Sequence, residues 1–442
     1  MQYARTNPRF LALIVLAVGT VIGCPGQVTA ATLAVTHCGD SGPGSLRDRI
    51  AAAAEGDVVD LRGLACRQVT LTSGPILIAQ RELTVEGAGF DRITISGDYN
   101  HPVFRQQQPG VLTLRRMSIQ KGVLRAPLAL GGCIYTAGRL ELLGVHVHHC
   151  SALGTGPDST VSAGGGVYAE GNVDLQYSNI HHNTARATDS DGGGLYTAGT
   201  LSLKRVVVHS NAAMHSGGIF AAMGMTMETS TVRDNRAQRF GGVHVERGNV
   251  VVMRSTISGN TASLGSIGGL YAQELRMSNS TVSGNRGKGV SAIFVSTGRA
   301  AIYSTTVTAN IEEGRPSQIN VCMGAVYVGS EVATEPFRVE SSLIAGNLCP
   351  GYDPVDLRAL VVVGSNNLIQ RSAHAPPVDT ISSDPLLAPL GDNGGYTLTH
   401  APLPGSPAID RGNNVRNLPT DQRGNGFPRV NGARADIGAV ER

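Results

Sequence analysis

Aliphatic residues fall on every second position in short bursts along most of this chain, and the bursts return at a spacing set by asparagines, for example Asn211 to Asn235 and Asn310 to Asn347. The clearest copies run from Gly164 to Asn183, Gly192 to Asn211 and Ser216 to Asn235. Each opens on small residues, passes through one ring-bearing segment, and closes on asparagine. Counting back from the close, Val173, Leu201, Met225, Val250 and Leu275 share one position, and Leu175, Leu203, Met227, Val252 and Met277 share another two residues on. Asp174, Ser202, Thr226, Val251 and Arg276 lie between them. A period of two predicts a strand with one buried face. Ile180, Val208, Val232, Ile257 and Val282, just before the close, predict a second buried strand.

The closing column is Asn183, Asn211, Asn235, Asn260, Asn285, Asn310 and Asn347, with Gly122 and Cys150 in the same place earlier. Asparagine tolerates a left-handed corner, and like amides stacked at strand spacing can join into a hydrogen-bonded ladder. No unit can bury its aliphatic edge alone, so stacking is required and the fold class is an all-β parallel solenoid, a β-helix. A leucine-rich repeat is excluded because glycine, valine, threonine and serine dominate and no helical period appears. The pattern divides the chain into a signal peptide (1–30), an amino-terminal cap with the first coils (31–111), regular coils (112–369) and a Pro/Gly-rich carboxy-terminal cap (370–442). Ser45 is placed to cap a short helix through Ala54, with Leu46, Ile50 and Ala53 on the side that plugs the first coil.

Composition narrows this picture. In 442 residues there are 57 glycines, no tryptophan and only 4% aromatics, which suits tight corners and a slim core. The formal charge of +3 drops towards neutrality once Arg5 and Arg9 leave with the signal segment, so nothing recommends nucleic acid as a partner. The apolar run Phe10 to Ile22 is short for a membrane span, and the mature chain is expected to have none. Cleavage near Ala30 makes the protein secreted. Val21-Ile22-Gly23-Cys24 also resembles a lipobox, which would make it a cell-surface lipoprotein through Cys24. Six further cysteines, Cys38, Cys66, Cys133, Cys150, Cys322 and Cys349, allow fifteen pairings in an exported chain. Proximity suggests 38 with 66, 133 with 150 and 322 with 349, while Cys133 and Cys150 can equally just fill the core.

Several segments resemble a known group. GDSGPGSLRDRIAAA (Gly39 to Ala53), GSNNLI (Gly364 to Ile369), the stretch Asp384 to Asp410, TDQRG (Thr420 to Gly424) and ADIGAVE (Ala435 to Glu441) are similar to bacterial secreted proteins of the choice-of-anchor Q domain type. The resemblance implies a right-handed parallel β-helix of pectate-lyase-like architecture, exported and often fixed to the cell surface, with no assigned activity. It also marks Asp410, Asp421, Arg423, Asp436 and Glu441, which are expected to pair within the carboxy-terminal cap.

Candidate chemistry is sparse. A ring column, Tyr135, Tyr168, Tyr196, Phe220, His244, Tyr271, Phe294 and Tyr327, follows inward-pointing aliphatics and so faces out. It can bind a polysaccharide or a surface protein, or simply stack on itself under adjacent loops. His148, His181 and His209 stand on adjacent coils and are the candidate metal ligands; exposed polar filling is the plainer reading. Variable loops gather Asp158, Asp189, Asp191, His215, Arg236, Arg239, Arg286, Lys288, Glu312, Glu313 and Arg315, expected to be solvated. No Asp-Asp pair or Gly-His-Gly motif appears, and no catalytic residue is assigned. The expectation is a monomeric, non-enzymatic β-helix that binds glycan or protein and needs no cofactor. The alternative is a lyase or hydrolase of acidic polysaccharides, in which Asp189 and Asp191 could hold calcium.

Overall fold

The computed structural model describes residues 30–156, 160–264, 267–297, 299–314, 322–329 and 335–442. The signal segment with Cys24, and the loop residues Asp158 and Arg315, lie outside the described residues.

The chain is a parallel β-helix. Each coil carries a ring strand, a second strand and a third strand, as in Leu195–Thr197, Leu201–Lys204 and Val207–His209. Ring strands stack into one eleven-stranded sheet; second and third strands together form a 23-stranded one. Every strand pair is parallel and in register: Leu175 sits over Leu203, Leu203 over Met227, and Met227 over Val252. All four side chains are at most 1% exposed, so one aliphatic column runs up the core as the period of two predicts. Burying each such side chain contributes about 1.5–3 kcal/mol, which no single coil could gather alone.

Two corners per coil hold the strands in place. The left-handed residue at the asparagine corner is the one before the asparagine, at φ near +54° in His182, Ser210 and Asp234. This corrects the expectation that asparagine itself takes that backbone. Its contribution is the side chain. Asn183 Nδ2 donates to Asn211 Oδ1 at 3.0 Å, Asn211 to Asn235, Asn235 to Asn260, and so on to Asn347, whose amide donates to Asp356 Oδ1 at 2.7 Å. The same oxygens accept the backbone N–H of the coil below. All seven asparagines are at most 2% exposed.

A second ladder, absent from the sequence reading, closes the other corner. After left-handed Tyr177, Thr229 and Arg254 come Ser178, Ser230 and Ser255. Ser255 Oγ accepts Ser230 N at 3.1 Å, and Ser280 Oγ accepts Ser255 N at 3.2 Å. The repeat glycines answer a packing limit: a Cβ on Gly193 would lie 2.4 Å from the carbonyl oxygens of Ala212 and Gly217.

The helix Leu46–Ala52 is capped by Ser45 and buries Leu46 and Ile50 against the first coils, with Ala53 as its C-cap. Three disulfides join Cys38 to Cys66, Cys133 to Cys150 and Cys322 to Cys349. The pairing by proximity holds, and Cys133 and Cys150 are bonded rather than mere core filling. Disulfides fit an oxidising, extracellular compartment. No helix among the described residues is long and apolar enough to cross a membrane.

At the carboxy-terminal end, Ile381 still bridges to Leu368 in parallel. Residues 384–442 then pack sideways, folding back along the outer side of the third strands. Thr256 donates to Leu398 O, Thr281 to Gln422, and Asn279 to Thr420 O, each at 2.6–2.7 Å. Ala408 and Ile437 bury themselves against Leu343 and Leu368. Thr281, Ser283 and Thr306 therefore face away from the core and yet are buried.

Candidate functional site

The ring column is continuous from Tyr135 to Tyr327, each ring paired in register with the next. Alternation sends Ile134, Val167, Leu195 and Ile219 inward, all 0% exposed, and the rings outward. Tyr168, Tyr196 and Phe220 stack nearly parallel with centroids 4.6–4.8 Å apart, and Tyr271, Phe294 and Tyr327 do the same at 5.2–5.5 Å. Parallel stacking hides ring faces and leaves edges outermost. Arg105 extends the column by lying over Tyr135, 4.5 Å from its centroid. The edges carry polar groups: Tyr135 donates to Glu170 at 2.7 Å. Burial, reinforced by Glu170, raises the Tyr135 phenol to about 12. Burial likewise raises Tyr196 to about 12, helped by Tyr168 and Asp191. Both remain hydrogen-bond donors at ordinary pH.

The stack turns at His244. Its ring stands at 82° to Phe220 and 85° to Tyr271, and Phe240 lies over it at 3.9 Å. Burial holds His244 down at about 4, with Arg239 and His215 adding to the effect, so the imidazole is neutral. Its Nδ1 lies 3.2 Å from Ser216 Oγ, while Ser216 donates its proton to Asp191 Oδ1 at 2.7 Å. With that proton committed, His244 Nδ1 carries the hydrogen of the other contact.

Beside this turn three residues converge that the sequence placed among solvated charges, with Asp189 and Asp191 also offered as calcium ligands of an enzyme. Asp189 and Asp191 project from the strand Asp189–Asp191, and His215 reaches them from the next coil. His215 Nδ1 is 3.1 Å from Asp189 Oδ1 and 3.7 Å from Asp191 Oδ2. Burial raises the Asp191 carboxyl, against the pull of Ser216 and His215. The signal was present as Asp-Ser-Asp one coil before His-Ser, but the loop lengths that align them were not. Glu312 is also not a solvated loop charge: it is buried and accepts Met323 N and Gly324 N.

The histidines form a separate double column. His148, His181 and His209 stack at 4.8 Å with planes within 9°. His149 and His182 stack beside them at 5.1 Å. Within each rung Nδ1 meets Nδ1, at 2.7 Å for His148 with His149 and 2.8 Å for His181 with His182, so one ring of each pair donates and the other accepts. Ring nitrogens hold their lone pairs in the ring plane, and parallel planes keep those of His148, His181 and His209 side by side. Burial, with neighbouring imidazoles and Arg233 adding to it, lowers His148 and His209 to about 4 and His181 to about 3.

In the carboxy-terminal segment Arg423 pairs with Asp421 at 2.7 Å, and Arg429, wholly buried, pairs with Glu441 and donates to the carbonyls of Gly438 and Asp436. Asp436 accepts Asp410 N. Asp410, Asp421, Arg423, Asp436 and Glu441 thus hold the segment's irregular backbone together.

Coils, ladders and a ring-bearing flank define a parallel β-helix protein. No protein-family model matches this chain, and no curated protein matches it. Among solved structures it is similar to a crystal structure of pectate lyase Pel9A, at 15% identity and a TM-score of 0.48, over 94% of this chain and 98% of that one.

Proposed function

We propose that this chain is an exported, non-enzymatic β-helix protein of the choice-of-anchor Q kind that binds a glycan along the outer edge of its ring column. The observation that carries this reading is the edge itself. Eight in-register rings run beside Glu170, Asp189, Asp191, Glu246 and Arg105, while hydrogen bonds from residues 384–442 to the coils reach the third strands and the corners before them. An extended polyhydroxylated chain matches a column in which five of the eight rings are phenols and carboxylates stand beside several of them. Face-on stacking of sugars is not what this edge offers, since the rings cover each other. Polar contacts to hydroxyls carry the recognition.

A second reading, a lyase or hydrolase of acidic polysaccharides, is favoured by one observation: two carboxylates and an imidazole converge at Asp189, Asp191 and His215. A glycan array read alongside detection of unsaturated or shortened products separates the two. Binding without product supports the proposal; turnover that vanishes in Asp191→Asn supports the enzyme. Tyr168→Phe with Tyr196→Phe, which removes two phenol hydroxyls and keeps the stack, is expected to abolish array binding while the chain stays folded by circular dichroism. Unchanged binding in that double variant removes the ring edge as the site.

A further inference from the structure

We propose that Asp189, Asp191 and His215 form a binding site for a divalent transition metal of the zinc type, linking two adjacent coils at the border of the ring column. The inference does not rest on the glycan reading, although Asp189 and Asp191 also border the edge named there.

The strand Asp189–Asp191 alternates, so the two carboxylates share the outer side while Ser190 between them points in and is 1% exposed. Ser190 then fixes the next coil. Its Oγ accepts Met214 N and its carbonyl accepts His215 N, both at 2.8 Å. His215 is held by these bonds directly above the carboxylates. One donor atom from each of the three residues lies within 4.8 Å of the others.

The donor set discriminates among ions. Calcium and magnesium take oxygen ligands, and an imidazole nitrogen among only two carboxylates serves them poorly. Mixed nitrogen and oxygen donors suit zinc and its neighbours in the first transition row. Three protein ligands leave a coordination position for water or a ligand oxygen. Asp189 is the open side, with 59% of its side chain exposed.

An outer layer is already in place. Asp191 uses its other oxygen to accept Ser216, and Ser216 is in turn held by His244. A ligating carboxylate fixed by such a partner keeps its orientation when the metal leaves. The double histidine column differs in this respect, because Nδ1 of His148 and of His181 is taken by the neighbouring ring of its rung and successive rungs lie parallel.

The test is calorimetric titration of the chelator-treated, tag-free chain with zinc chloride, repeated with calcium chloride. The expected result is one saturable zinc site per chain and no comparable calcium site. Asp191→Asn, which keeps an acceptor for Ser216, and His215→Ala should each weaken zinc by about tenfold or more. Asp189→Asn, at an exposed position, covers the case in which His215→Ala does not fold. His181→Asn should leave the site intact. Cobalt substitution should give a visible d–d spectrum that Asp191→Asn abolishes. No saturable zinc heat, calcium binding in its place, or zinc binding lost in His181→Asn and kept in His215→Ala would each overturn the proposal.

Discussion

Asn260 shows what one residue does in this fold. Its Oδ1 accepts both the backbone N–H and the amide of Asn235, and its own amide donates to Asn285 and to Val232 O. Truncation removes the acceptor for two buried donors at once, and a buried donor left unpaired costs about 1–3 kcal/mol. Asn260→Ala is therefore expected to lower stability by about 2–6 kcal/mol, read as a shift in the urea midpoint. A change within measurement error means that the ladder is incidental. At this scale the sequence was a good guide to position and a poor guide to mechanism. Repetition of asparagine fixed where the corner falls, but not that the left-handed backbone belongs to Asp234 or Gly259 just before it. The serine ladder went unread for a related reason. Ser230, Ser255 and Ser280 also recur at a constant place, yet serine is common enough in loops to pass as background.

At the scale of the element, the third strands are one column with two surroundings. Their outer positions are histidines in the early coils, at His148, His181 and His209, and arginine, serine or threonine later, at Arg233, Ser258, Ser283 and Thr308. The histidine part titrates in a predictable direction. Folded-state values near 3–4 lie below the unfolded value of about 6.5. The unfolded chain therefore binds protons first as pH falls. The contribution is complete above about pH 6.5 and is lost progressively towards pH 3–4. Melting temperature should decline across that window, and His181→Gln should flatten the decline; an equally steep profile in the variant would show that other groups set the acid response. The ring strands teach a different lesson. Outward direction was legible from alternation, whereas the near-parallel stacking that hides ring faces depends on side-chain torsions that no sequence pattern reports.

For the whole molecule, what matters is that residues 384–442 lie along the flank and that a buried ion pair secures them. Arg429 is 0% exposed and its partner Glu441 only 3%. Removing one member of such a pair strands the other charge, at a cost of about 3–5 kcal/mol. Arg429→Met should loosen the segment before the coils, giving early protease cuts within residues 384–442 while the β-sheet circular dichroism persists. Simultaneous loss of both would show that segment and coils unfold as one unit. Cys133→Ser with Cys150→Ser should cost about 2–5 kcal/mol, visible as a lower melting temperature. The repeating coils of the solenoid were readable because each one repeats the same burial problem. The sideways return of the last residues was not, since it depends on contacts such as Gln422 with Thr281, far apart in sequence and matched by no period.

The amide column also has a polarity. Every rung points its N–H the same way, towards higher residue numbers, so the small dipoles of Asn183 through Asn347 add rather than cancel. The electropositive tip of that row arrives at Asp356, the one rung that is a carboxyl. A chain extended by extra coils would lengthen the row without changing its sense, and an acidic terminator would suit each added length equally well.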